Sequence, residues 1–177
     1  MNKKDFSKLI KKTRYQIFIM CSRVPLPLFF ALHTWFVINK KGNVNRWESG
    51  KFHNPKPKKS WGNVYLGLGK NNPLTGMNLN PFSPGQRYKS RLLGYLEGKN
   101  NSTAHKMISF IESNAKNYPY KNEYVLLGPN SNTFTQWILN RFPESNLKLP
   151  WNAIGKSYRK EKRIKLWPCR FQCCLKH

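Results

Sequence analysis

The sequence predicts an α+β domain, an antiparallel sheet packed with two main helices, on three observations. Two strand-type runs, residues 33–38 and 44–48, flank Lys41-Gly42-Asn43, a turn that folds the second run back on the first. Two apolar stripes at helical spacing follow: Ala104, Met107, Ile108, Ile111 and Ala115, then Phe134, Trp137, Ile138 and Phe142. Aromatic residues make up 14% of the 177 residues and include six Trp, enough apolar bulk for one domain of this size to bury a real core.

In chain order, residues 3–14 form a short basic amphipathic segment with Phe6, Leu9 and Ile10 on one side, either a helix on the body or an arm. Residues 15–21 read as a strand. A basic start and an apolar run resemble the opening of a signal peptide, but Arg23 cuts the run short and Pro25 and Pro27 break it again. A membrane span over residues 15–38 would have to carry Arg23, both prolines and His33, so none is expected. The hairpin comes next. With a two-residue loop, odd-numbered residues of its first strand share a face with even-numbered residues of its second, so Glu48 falls on the side of His33 and Trp35, diagonally from His33.

Residues 53–59 are a basic, proline-bearing loop, residues 61–68 a further strand, and residues 67–85 a long loop bordering a site, with Met77, Leu79 and Phe82 as anchors. Residues 88–97 read as a strand buried from both sides, Leu92 and Leu96 on one face and Leu93 and Tyr95 on the other. Residues 100–103 cap a helix over 102–116 from whose apolar stripe His105 points away. Tyr124-Val125-Leu126-Leu127 is of strand type and is stopped by Gly128-Pro129. Thr133 with Gln136 reads as a capping box opening a helix over 133–142. Residues 147–158 form an irregular arm anchored by Trp151 and Ile154. The expected organisation is a basic segment at 1–14, one domain at 15–158 and a basic tail at 159–177.

The chain carries 32 Lys and Arg against seven Asp and Glu, a net charge of +25. Residues 1–14 and 156–177 hold 14 of these basic residues and two of the acidic ones, so charge is densest at the ends while the body is basic too. This favours an anionic partner, whether nucleic acid, acidic lipid or an anionic polymer, without choosing among them; a solvated basic surface with no dedicated partner is the plain alternative. Four Cys in a chain this long do not suggest a disulfide-stapled fold. Cys21 reads as a small core residue. Cys169, Cys173, Cys174 and His177 match the usual zinc spacings poorly, and Gly67-Leu68-Gly69-Lys70 lacks the glycine pattern of a phosphate loop, so no metal or cofactor is expected. The expected compartment is cytoplasmic, with membrane association as the alternative.

Fold and chemistry meet at Gly128-Pro129-Asn130-Ser131-Asn132-Thr133-Phe134. Ser131 stands at or just ahead of a helix N-terminus, where free backbone N–H groups and the helix dipole favour an oxyanion. Asn, Ser and Thr are also the residues with which any helix caps itself.

Together with His33-Thr34-Trp35-Phe36-Val37 and Leu149-Pro150-Trp151-Asn152-Ala153-Ile154-Gly155-Lys156, this block resembles an uncharacterised bacterial family of unknown function over roughly residues 30–158. More distantly, a His-x-Trp strand followed by an Asn-Cys-x-x-Phe helix start is similar to the circularly permuted papain-like hydrolases and acyltransferases that include lecithin retinol acyltransferase. That resemblance implies a permuted papain-like fold and acyl or amide transfer. His33, on a strand facing the helix start, would be the base, and Ser131 would stand where the nucleophilic Cys is expected; Glu48, placed by the hairpin register, is the candidate for orienting the imidazole, the alternative being a surface carboxylate paired with a nearby Lys. Gly128, Pro129, Asn130, Asn132 and Thr133 would shape the turn and oxyanion site, and Trp35 and Phe134 would line the pocket. A hydroxyl needs a base during the reaction in a way that a thiolate does not. The Ser therefore leaves two alternatives: a serine nucleophile, or a domain of the same fold that binds without turnover.

Overall fold

Unbroken apolar runs belong in strands covered on both faces, and Ile17-Phe18-Ile19-Met20-Cys21 is such a run. It forms the middle of β1 (Tyr15–Arg23), whose side chains from Gln16 to Ser22 are all buried. β1 pairs antiparallel with β2 (Leu32–Lys40), and β2 with β3 (Asn43–Ser49). The β2–β3 connection is Lys41-Gly42, with φ of 51° and 96°, the two left-handed residues that a type I′ hairpin requires. Its register, from Phe36↔Trp47 to Lys40↔Asn43, sets odd against even numbers and brings Glu48 to the face of His33.

The computed structural model describes residues 1–25, 27–51, 60–66, 73–80 and 83–159. Around the β1–β2–β3 centre the six-stranded sheet runs β4-β5-β3-β2-β1-β8, with β4 at Ser60–Trp61, β5 at Val64–Leu66 and β8 at Arg91–Gly98. A separate two-stranded ribbon pairs β6 (Asn78–Asn80) with β7 (Ser83–Arg87). Several expectations need correction. In place of a single strand from Trp61, residues 60–66 form a short hairpin, because Gly62 at φ 61° turns the chain after Trp61. The long loop contains the β6–β7 ribbon. The strand expected at 88–97 lies at the edge of the sheet and is half exposed. A bulge also changes its alternation: Ile19 pairs with Gly94 but Met20 with Leu92, so Leu93 is the extra residue. Leu93 and Leu96 therefore pack into one core, while Leu92 reaches the other and Tyr95 stacks on Phe18. The loop at 53–59, Gly67-Leu68-Gly69-Lys70, Phe82, the C-terminal Cys residues and the tail from 160 lie outside the described residues.

One face of the sheet is covered by α2 (Thr103–Asn114) and α3 (Ser131–Leu139). Ile17, Ile19, Phe36 and Ile38 meet Met107, Ile108 and Ile111 of α2 and Phe134 and Ile138 of α3 there. Phe134 sits against Tyr118 and Trp137, and truncating such a buried ring costs about 3–5 kcal/mol. Ser102 caps α2, accepting from the His105 amide. The His105 ring is half-buried rather than solvated, tilted against Tyr15 with ring centroids 4.3 Å apart and accepting from the Asn101 amide. The opposite face carries a smaller core of Phe18, Met20, Trp35 and Val37 under Phe6 of α1 (Lys3–Leu9), a helix capped by Asn2. Cys21 is buried, and burial pushes its thiol pKa up against the pull of Arg91. Among the described residues no helix is long and apolar enough to cross a membrane.

Candidate functional site

The polar centre of the molecule is Glu48. Its Oε2 lies 2.8 Å from His33 Nε2 and accepts from Arg46 Nη2 at 2.7 Å, while Arg46 Nε lies 2.7 Å from Oε1. Both Glu48 and Arg46 are buried, and so is His33. Burial alone would raise the Glu48 carboxyl pKa. The Arg46 guanidinium and the His33 hydrogen bond outweigh it and hold the carboxyl at about 2, so the group is a carboxylate at neutral pH. Arg46 also lies over the Trp35 ring, 4.1 Å from its centroid, which keeps the guanidinium in place between the aromatic face and the carboxylate. Tyr65 stands opposite Glu48 in the β3–β5 register; burial and then the Glu48 charge push the Tyr65 phenol pKa up. Arg46 was detectable from sequence, since residues two apart on a strand share a face. Tyr65 had no such local signal.

The second half of the site is the start of α3. The expected capping box at Thr133 and Gln136 is displaced: Asn130 is the N-cap, its Oδ1 accepting from the Asn132 and Thr133 amides, and the Thr133 hydroxyl accepts from the Asn130 amide. The helix starts two residues earlier than read, and Ser131 is its first residue. Asn caps as well as Thr does, so residue type alone does not separate the two starts.

The motif side chains tie together three loops. Asn130 Nδ2 donates to Leu126 O at 2.9 Å and Ile154 O at 3.0 Å, and Asn132 Nδ2 donates to Leu32 O at 2.7 Å and Ile154 O at 2.8 Å. The Thr133 hydroxyl donates to Gly155 O at 2.7 Å, and the Thr34 hydroxyl donates toward Asn132 Oδ1 at 2.9 Å. Asn130, Asn132 and Thr133 are thus fastened to backbone. Ser131 is the motif hydroxyl that lines a cavity together with His33. Tyr124 lines the same cavity, and burial pushes its phenol pKa up against the opposing pull of Ser131. Tyr124 carried no signal as a site residue in the sequence, where it read as the first residue of a strand.

That strand is not formed. Val125 N–H reaches Pro129 O at 2.8 Å and Gly128 N–H reaches Val125 O at 3.0 Å, closing residues 125–129 on themselves, with Gly128 at φ 113° and a cis Gly128-Pro129 peptide. Leu127 is 72% exposed. Two further expectations are corrected. Trp35 and Phe134 do not line the cavity: both are fully buried, Trp35 donating through Nε1 to Pro73 O. Nor does the His33 face of β2 look at α3. Thr34 is the residue that faces α3, because alternation along β2 sends odd-numbered side chains to the α1 side. His33 and Ser131 both line a cavity of about 250 Å³. A larger cleft of about 510 Å³ includes Thr133, Trp137 and Tyr158 but neither Ser131 nor His33, so it is set apart from this chemistry.

No curated protein and no solved structure matches the chain. One family model does, over residues 15–158, which include β1, the His33 hairpin, the Asn130 staple and the arm through Tyr158. The chain therefore belongs to the family described as Protein of unknown function (DUF3750).

Proposed function

We propose that this protein is a hydrolase or acyltransferase that cleaves an acyl ester or amide, with Ser131 as nucleophile, His33 as base and Glu48 as the group that orients the imidazole. The observation that carries the reading is that the buried, ionised Glu48 holds His33 through Nε2 while the same His33 lines the cavity that Ser131 enters from a helix N-terminus. Nε2 being engaged, Nδ1 is the nitrogen left to take the Ser131 proton. Ser131 Oγ would bond to the carbonyl carbon as that proton passes to His33, and the carbonyl oxygen would become an oxyanion against the Ser131 amide at the start of α3. Collapse would expel the alcohol or amine with the proton from His33, leaving an acyl-serine that water or a second acceptor resolves. The chain order, His33, Glu48, then Ser131, supports the permuted papain-like reading of the fold, which is part of this proposal.

A second reading, a binding module without turnover, is favoured by Tyr124, whose phenol shares the cavity with Ser131 and His33. The two separate on one experiment: hydrolysis of a panel of activated acyl esters and anilides by the wild type, Ser131→Ala and Ser131→Cys. The catalytic reading expects at least about a hundredfold loss in Ser131→Ala and retained turnover in Ser131→Cys. Turnover that is undetectable in all three, or equal in wild type and Ser131→Ala, overturns it.

A further inference from the structure

Among the described residues eight large apolar side chains are exposed, and six of them, Phe29, Phe30, Val125, Leu126, Leu127 and Trp151, lie on the three loops around the cavity mouth. Single exposed apolar residues are ordinary; a cluster on adjoining loops marks a contact surface. The loops are held as one rim. Asn152 Nδ2 donates to Phe30 O at 2.7 Å and Leu32 N–H to Asn152 O at 3.0 Å, while Asn130 bridges Leu126 O and Ile154 O. Ordered polar bonds beneath and Leu, Phe and Trp above describe a surface built to present its apolar side outward.

The charge around the rim says what it meets. Exposed Arg23 leads into the first loop, and exposed Lys148 stands before the third. Lys156 Nζ is anchored to Leu149 O at 3.0 Å and Pro150 O at 2.9 Å, which seats its charge beside the turn that carries Trp151. The whole chain is at +25. Apolar and aromatic tips flanked by cations fit the interface of an anionic bilayer, where Trp and Phe enter the headgroup boundary and Lys and Arg meet the phosphates.

We propose that the rim formed by the loops bearing Phe30, Leu127 and Trp151 docks on the surface of an anionic lipid bilayer and opens the cavity towards it. This does not depend on Ser131 being a nucleophile. The test is co-sedimentation of the full chain with phosphatidylcholine vesicles, with and without phosphatidylglycerol. Wild type should bind the phosphatidylglycerol vesicles, and the double variant Leu127→Ser, Trp151→Ala should bind at least about tenfold more weakly with an unchanged thermal midpoint, since both side chains stand in solvent. Ser131→Ala should bind as the wild type does, so that a failed hydrolase reading leaves this result standing. Three results overturn the proposal: no binding to phosphatidylglycerol vesicles, equal binding by the double variant, or a wild-type dimer in light scattering that the double variant loses without any vesicle binding.

Discussion

Replacing Glu48 by Gln removes the one negative charge on which Arg46 and His33 converge, while keeping the shape of the side chain. The carboxyl is held at about 2 against an ordinary 4.5, a gap worth about 3 kcal/mol of folding stability by linkage. The folded-state value is the depressed one. The contribution is therefore complete above the unfolded value near 4.5 and is lost as pH falls from there through about 2. Urea unfolding of wild type and Glu48→Gln between pH 6 and pH 2 reads it directly. At pH 6 the variant should be less stable by about 3–5 kcal/mol, because the buried Arg46 guanidinium is left without its counter-charge. The difference should then shrink by about 3 kcal/mol towards the acid end. Glu97, which its hydrogen bond to Lys11 also depresses, is present in both proteins and cancels. A difference between wild type and variant that stays constant across this range would refute the reasoning, since it would mean that Glu48 is not held as a carboxylate by its neighbours.

Asn132→Ala should lose the bonds to Leu32 O, Ile154 O and the Thr34 hydroxyl, at about 2–4 kcal/mol in urea unfolding, with faster proteolysis at the freed loops. Gly155→Ala should destabilise by about 1–3 kcal/mol, because Gly155 has φ 86° and an added Cβ would meet Asn130 Nδ2 at 2.5 Å; calorimetry on the variant checks it. Trp151→Ala, by contrast, should stay within about 0.5 kcal/mol of wild type, since its side chain is 79% exposed.

What could be read in advance was what local rules decide. The Lys41-Gly42 turn and period-two alternation put Glu48 beside His33 without any knowledge of the rest of the chain, and the 3.6-residue stripe around Met107 and Ile108 gave α2. The α3 start was misread because Asn130 and Thr133, three residues apart, cap equally well; what selects Asn130 is its bonds to Leu126 and to Ile154, the second of which arrives from another segment. Tyr124-Val125-Leu126-Leu127 had strand composition but found no partner strand, and its apolar residues went to the rim. The bulge at Leu93 and the contribution of Tyr65 to Glu48 are decided by pairing between distant strands. Alternation put His33 on the face of Trp35, but which face α3 would cover was not legible, and the expectation that His33 faces the start of α3 failed there.

The proposal that Ser131 and His33 act as one unit on the cavity they both line can be tested by covalent labelling. A fluorophosphonate, which phosphonylates an activated serine hydroxyl, measures that unit when the labelled peptide is identified by mass spectrometry. A single adduct on Ser131 is expected in the wild type, with the labelling rate falling at least about a hundredfold in His33→Ala. Labelling of Ser131 at the same rate without His33, or no adduct on Ser131 at all in the folded protein, would contradict it.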